Sequence, residues 1–330
     1  MKKLPGGTRF VALCAIWISG SHSGLSGQER HTPEPAVKRA AGAVEIQMKN
    51  VNLLLSRNMV LGVRSLRGQL QRTNPEVPVT FDDSDSFAVD INFAEIHITT
   101  ASLSALMNEY VFAFKGAAIK NVTTSLEGRR LIQTGTMHKG INLRFKIEAS
   151  LSVTEDGNVR VHAEKINVEH LQVKGLLHFL GEDLEKLIHE NPGRGVRAEG
   201  DDLILIPEVL TPPPHIRGRV TRVSIRDNGV VLVFDSGRHP AALEPPFHTG
   251  AYVYHRGGIL RFGKLTMNDA DLEIVGDRPG VFNFFQREYK KQLVAGYSKN
   301  TAANGLVAHM VDYSHFQSPK VSRSEASKSR

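Results

Sequence analysis

Acidic residues and histidines that recur at helical spacing are the first candidates for chemistry in this sequence. His178, Glu182, Glu185 and His189 follow one another at intervals of four, three and four residues, which places them on one helical face. Imidazole and carboxylate groups in such a row can bind a metal ion. The row also fits the solvated side of an amphipathic helix, opposite its leucines. Because metal ligands normally converge in a sheltered site, we favour the solvated side and predict no metal site.

Two short acidic stretches carry oxygen ligands of the kind that calcium prefers. They are DDSD at residues 82–85 and NDAD at residues 268–271, and neither has the glycine and distal glutamate of an EF-hand loop. Surface loops commonly carry such acids. The histidines between residues 239 and 255, combined with the acids at 269–271, leave a metal- or carboxylate-dependent hydrolase as an alternative.

Nucleophile and cofactor motifs are missing from the rest of the chain. The single cysteine, Cys14, lies near the N-terminus, and no G-x-S-x-G elbow follows it. The stretch GRGVRA at residues 193–198 follows a predicted helix, whereas a dinucleotide-binding loop follows a strand. The sequence therefore predicts a protein that is not an enzyme and that has no cofactor.

The positive charge of the chain is concentrated at its two ends. Of the formal net charge of +7, residues 1–23 carry three positive charges and residues 314–330 a further net three, which leaves about +1 for the body. A nucleic-acid-binding protein places its basic residues on a folded recognition surface. We therefore predict no nucleic-acid partner and a solvated, disordered basic tail at 314–330.

The N-terminal residues are typical of an export signal. Lys2, Lys3 and Arg9 precede an apolar run from Phe10 to Ile18, and small residues follow, with a cleavage site after Ser23. The apolar run is far shorter than the roughly 20 residues that a membrane-spanning helix needs. We predict a signal peptide at 1–23, a flexible lead at 24–39, and an exported protein of the periplasm or extracellular envelope. A retained interfacial anchor is the alternative.

The body of the chain alternates apolar and polar residues, which is the pattern of half-buried strands. The stretch GINLRFKIEASLSV (140–153) is the clearest example, and the turn at Asp156-Gly157 joins it to a second strand. In DSFAVDINFAEIHI (85–98) the alternation slips by one residue, which indicates a bulge. A further hairpin is predicted with Asn228-Gly229 at its turn.

Two helices are predicted within this sheet region, one capped by Thr99 or Thr100 and one from about residue 175 to 190. The fold class is therefore α+β, with a curved antiparallel sheet at residues 40–236 wrapped on one or two helices. A linker at 237–250 leads to a small hairpin-plus-helix module at 251–313, which adds strands or a lid.

The helix predicted from about Val281 to Val294 has one apolar side, which includes Phe282 and Phe285, and one cationic side with Lys290 and Lys291. Such a helix can lie at a membrane interface, so these four residues are membrane-contact candidates. It can equally cover a hydrophobic sheet.

The succession ITTASLSALMNEYVF, LIQTGTMHKGINLRFKIEASLSVTEDGNVRVHAEKINVEHLQVKGLL, LEKLI and DDLILIPEVLTPPPHIRGRVTRVSIRDNGVVLVF resembles the LmeA-like phospholipid-binding family. The resemblance covers about residues 44–235. It implies an exported protein similar to the tubular lipid-binding (TULIP) proteins, in which a curved sheet wraps a helix and leaves an apolar tunnel. The segment after residue 250 departs from that family pattern.

The first functional hypothesis is therefore a lipid-binding protein of the envelope that holds acyl chains of a phospholipid or other lipid and meets the membrane surface peripherally. Lipid shuttling is an additional role under this hypothesis. The residues predicted to line its apolar groove are Leu106, Met107, Tyr110, Leu143, Phe145, Ile147 and Leu151. Each of them also fits an ordinary core. The second hypothesis is an envelope scaffold or adaptor with a fully packed interior.

Overall fold

The computed structural model describes residues 42–169, 195–247 and 250–317, and more than half of these residues lie in β-strands. The strands in chain order are β1 Val44–Leu54, β2 Val60–Arg72, β3 Val79–Thr80, β4 Phe87–Thr99, β5 Ile119–Glu127, β6 Arg130–Lys139, β7 Ile141–Val153, β8 Val159–Val168, β9 Val196–Glu199, β10 Asp202–Leu205, β11 His215–Arg217, β12 Val220–Arg226, β13 Gly229–Asp235, β14 Tyr252–Phe262, β15 Leu265–Gly276, β16 Phe282–Phe284, β17 Tyr297–Asn300 and β18 Leu306–Met310.

Helices are few and short in the described part of the chain. The α-helices are α1 Thr100–Leu106, α2 Pro207–Leu210, α3 Tyr289–Ala295 and α4 Ser314–Gln317. A π-helical turn, Met107–Val111, continues α1, and 3₁₀ turns lie at Ser84–Ser86 and Gln286–Glu288. The fold is accordingly α+β and dominated by sheet.

Two sheets form the frame. Within the described residues, the large sheet has twelve strands, nine of which follow the order β12-β13-β4-β2-β1-β14-β15-β18-β17. Of the other three, β11 pairs with β4, β16 with β1 and β3 with β14. The small sheet has six strands in the order β5-β6-β7-β8-β10-β9, and every pairing in it is antiparallel. The large sheet is mixed, because four of its pairings are parallel.

The strands after residue 250 extend the large sheet. β14 pairs with β1 from Glu45↔Arg256 to Lys49↔Tyr252, and β15 and β18 follow outward. The segment before them also contacts this sheet, since the Gln47 side chain donates to the Leu243 carbonyl and accepts from its N–H. Residues 251–313 were predicted to add either strands or a lid, and in the structure they add strands to the large sheet. They do not form a module apart, because the main chain of β14 bonds directly to that of β1.

The predicted hairpins and the bulge are confirmed. Asp156 and Gly157 lie in the turn between β7 and β8, and Gly157 has the positive φ of 82° that its turn requires. In the second hairpin the loop residues are Asp227 and Asn228, while Gly229 already pairs with Arg226. The slip in β4 is a bulge at Asn92, where Phe93 and Ile91 face consecutive residues of β2.

The helix predictions are confirmed in part. The Thr99 hydroxyl accepts a hydrogen bond from the Ser102 N–H at 3.2 Å and caps α1. The helix predicted from Val281 is wrong in its first half, because Phe282–Phe284 is a strand that pairs in parallel with β1. Within this segment only α3 is α-helical, and it ends at Ala295, one residue beyond the predicted end. The helix predicted at 175–190, with the row from His178 to His189, lies outside the described residues.

The inner faces of the two sheets share one hydrophobic core. β12 of the large sheet packs against β7 of the small sheet, and α1 packs against β4 and β5. Alternation along each strand supplies the apolar inner faces, as in β7, where Leu143, Phe145, Ile147 and Ala149 are buried. The candidate site lies within this core.

Candidate ligand-binding cavity

An apolar cavity of about 140 Å³ lies between the inner faces of the two sheets, and we call it the inter-sheet cavity. Side chains of β4 and β13 form one wall, and side chains of β6, β7, β8 and β10 form the other. Residues of α1 and its π-helical continuation contribute further lining, as does α2. Because the lining comes from both sheets, the cavity depends on the tertiary fold rather than on any one hairpin.

The small-sheet wall owes part of its form to a glycine. Gly135 on β6 lies opposite Phe145 on β7, and a Cβ built at Gly135 would lie 2.7 Å from Cζ of Phe145. The missing side chain therefore leaves room for the phenylalanine ring to lie against the sheet. Phe145, Ile147 and Leu151 line the cavity from the same strand.

No charged residue and no histidine is found among the described residues that line the cavity. The polar lining residues are Ser102, Gln133 and Thr211. Two of them are already engaged, since the Ser102 hydroxyl accepts from the Val60 N–H at 3.1 Å and the Thr211 hydroxyl donates to the Pro207 carbonyl at 3.2 Å. The chemistry that this wall offers is burial of apolar surface, together with one free amide at Gln133.

The volume sets the size of group that fits without rearrangement. A cavity of about 150 Å³ lined by Leu, Ile and Phe stays dry and binds benzene in a well-studied engineered protein, so this cavity has room for a similar apolar group. A longer chain requires lining side chains to move. Met59 and Met107, whose thioether side chains adapt readily, are part of the lining.

Five of the seven residues predicted as lining do line the cavity: Leu106, Met107, Phe145, Ile147 and Leu151. Leu143 is buried in the core further along β7, and Tyr110 is half-buried on the π-helical turn; neither belongs to the lining. Sequence reasoning missed the contributions of β8, β10 and β13, such as Val161, Leu203 and Val230. The alternation in those strands is the same signal that identified β7.

The four membrane-contact candidates have other contacts. Phe282 and Phe285 are 1% and 5% exposed, so their rings belong to the protein interior. Lys290 contacts Asp82 at 2.5 Å, and Lys291 contacts Glu288 at 2.5 Å. The apolar side expected at a membrane is therefore buried against the large sheet, in agreement with the alternative reading of this segment.

The acidic stretch at 82–85 has a structural use. The Asp82 carboxylate accepts hydrogen bonds from the Gly263 N–H and the Tyr289 hydroxyl, both at 3.0 Å, besides its contact with Lys290. Burial raises the pKa of Asp82, but the hydrogen bonds from Lys290 and Tyr289 outweigh it and leave the pKa below its ordinary value. Asp83 caps the 3₁₀ turn by accepting from the Asp85 N–H.

The hydrolase alternative gains no support from the placement of its residues. His255 faces inward and contacts the Phe81 ring, whereas the neighbouring Arg256 faces outward and binds Asp271 at 2.8 Å. Alternation along β14 thus separates His255 from Asp271. Among the residues that the structure describes, no group of three or more histidine, cysteine or acidic side chains could hold a metal ion.

Comparisons of the chain with models of protein families, with curated proteins and with solved structures found no match. In the described ranges, no helix combines the length and the apolar character that crossing a membrane requires.

Proposed function

We propose that this protein binds an apolar ligand, in the first place an acyl chain of a lipid, in the inter-sheet cavity. The observation that carries the proposal is the cavity itself, whose described lining is almost wholly apolar and bears no charge. Transfer of each methylene of a ligand from water to such a wall contributes about 0.8 kcal/mol. A few methylenes therefore give useful affinity without any charged clamp.

The finer features expected of the ligand and the fold belong to the same proposal. The ligand is a phospholipid or another acyl lipid, and its charged head stays outside because no cation lines the described wall. A sheet that wraps a helix, as in the TULIP-like proteins that the sequence resembles, is also a proposal. The support for it is limited to α1, which contributes Leu103, Leu106 and the adjoining Met107 to the lining.

Export and peripheral contact with the envelope membrane are further parts of the proposal. They rest on the leader-like residues 1–23 of the sequence. Expression of the full chain in a bacterium with two membranes tests them: we expect a periplasmic product whose N-terminus follows Ser23. A product that keeps Met1 and stays in the cytoplasm would contradict export and leave the ligand proposal untouched.

Filling the cavity tests the ligand proposal directly. Val161 lines the cavity from β8, so Val161→Phe places extra ring atoms in the void. Displacement of about two ligand methylenes lowers the affinity for a fluorescent fatty acid about tenfold. Val294→Phe is the matched control, because Val294 is 85% exposed and is not a lining residue. Equal affinity in both variants, with thermal unfolding unchanged, would contradict binding in this cavity.

A further inference from the structure

Two polar side chains face the interior from neighbouring strands of the small sheet. Thr124 on β5 and Gln133 on β6 are directly opposite in the antiparallel register, so their Cβ atoms are about 5 Å apart on one face. That face is the inner one, because Gln133 lines the inter-sheet cavity and Thr124 is only 4% exposed. We call them the Thr124–Gln133 pair.

The hydrogen-bonding capacity of this pair is unused within the described chain. The Thr124 hydroxyl is buried and has no hydrogen-bond partner, although the Thr124 N–H donates to the Ser104 hydroxyl at 2.8 Å. The structure shows no hydrogen bond to the Gln133 amide from any described residue either. Gln133 belongs to the cavity lining and Thr124 lies next to it on β5, whereas Ser102 and Thr211, the other two polar residues of the lining, are both engaged. Buried polar groups are almost always paired, so the unpaired Thr124 hydroxyl next to Gln133 indicates a partner from outside the described residues.

We propose that the Thr124–Gln133 pair recognises a carbonyl oxygen within an otherwise apolar ligand, which makes the ligand an acyl ester, amide or ketone rather than a plain hydrocarbon. This inference rests on the proposed function of the cavity. The threonine hydroxyl and the glutamine amide both donate, and a carbonyl oxygen has two lone pairs to accept them. A carboxylate is disfavoured, because no cation lines the described wall to offset the burial of its charge.

The pair then acts as a specificity determinant. A site built around hydrogen-bonding groups discriminates against an analogue that lacks the matching atom, because the protein groups would stay buried and unpaired. The apolar wall supplies affinity for any chain of suitable size, whereas the pair fixes how far the chain enters and which chain is preferred.

Two probes that differ in one atom test this role on the full chain. The first is a long-chain methyl ketone, and the second is the matched alkene in which a methylene replaces the carbonyl oxygen. Their dissociation constants are measured by displacement of a bound fluorescent fatty acid. The two probes differ in their free energy of transfer from water. We therefore compare the ratio of their two dissociation constants between the wild type and each variant, because the transfer difference is the same for every protein and cancels.

We expect the preference for the ketone to fall about tenfold in Thr124→Val and in Gln133→Leu. Thr134→Val is the matched control, since Thr134 is exposed on the outer face of β6, and the ratio should equal that of the wild type. An unchanged ratio in both inner-face variants would overturn the role of the pair while leaving cavity binding intact. A wild type that binds neither probe nor the fatty acid would instead overturn the proposed function, and this inference with it.

Discussion

At the scale of single residues, Thr124 links the stability of the fold to the proposed ligand site. Its buried hydroxyl lacks a protein partner in the described chain, and an unpaired buried hydroxyl opposes folding. A valine has nearly the same shape and no polar atom. We therefore expect Thr124→Val to raise the free energy of unfolding of the ligand-free protein by about 1 kcal/mol, as measured by urea denaturation. Thr134→Val should change it by less than about 0.5 kcal/mol, and a loss of stability in Thr124→Val would show that the hydroxyl is satisfied.

His255 carries the clearest dependence on pH. Burial lowers the pKa of His255 from 6.5 to about 4, against a small opposing effect of a backbone hydrogen bond at Leu272. The folded protein therefore binds the imidazole proton more weakly than the unfolded chain does. The resulting loss of stability begins as the pH falls below 6.5 and grows down to about pH 4.

We expect the protonation of His255 to lower the free energy of unfolding of the wild type by about 3 kcal/mol between neutral pH and pH 4. His255→Leu removes the titrating group, so the free energy of unfolding of the variant should decline much less over the same interval. Urea denaturation at several pH values gives the difference between the two curves. Parallel curves for wild type and variant would contradict a neutral, buried His255.

The sequence predicted which residues of β7 and α1 turn inward, because alternation and helical spacing are local properties. It did not predict the Thr124–Gln133 pair. The stretch NVTTSLE is polar at most positions, and only the pairing of β5 with β6 shows that Thr124 faces inward while Thr123 faces solvent. From the sequence, His255 was only one of the hydrolase candidates, and its burial was not predicted, because its inward orientation follows from the neighbours of β14.

At the scale of elements, the long hairpins were predictable and the segment before α3 was not. The turn at Asp156-Gly157 and the alternating strands beside it carry their own local signal. Phe282–Phe284 is too short to show the apolar–polar alternation of a strand. It forms a strand because it pairs with Val51–Leu53, which lie far away in the chain. The spacing of Phe282 and Phe285, which suited a helix, was thus overridden by tertiary contacts.

Gly135 on β6 affects the cavity through its contact with Phe145 on β7. A methyl group in Gly135→Ala would lie too close to the Phe145 ring and to the Lys120 carbonyl, so the ring and the neighbouring backbone must shift. We expect a loss of about 1–2 kcal/mol in the free energy of unfolding and weaker binding of the fluorescent fatty acid. Adding Phe145→Leu to Gly135→Ala should restore part of the free energy of unfolding and part of the affinity for the fatty acid. Full additivity of the two changes would contradict a steric link between these residues.

At the scale of the whole molecule, the large sheet joins regions that the sequence suggested were separate. The linker predicted at 237–250 indicated a boundary, but β14 pairs with β1 across about two hundred residues of chain. The local sequence of neither strand indicates which strand it pairs with. The apolar space between the two sheets is likewise a property of the assembled fold, although the apolar faces that enclose it were predictable one strand at a time.

We propose above that the space between the two sheets takes up an apolar ligand. Native mass spectrometry of the full chain, purified from cells and then incubated with phospholipid vesicles, tests it most directly. We expect a mass increment that matches a lipid in the wild type and is reduced in Val161→Phe but not in Val294→Phe. A wild-type protein that carries no lipid from cells and acquires none from vesicles would contradict the account.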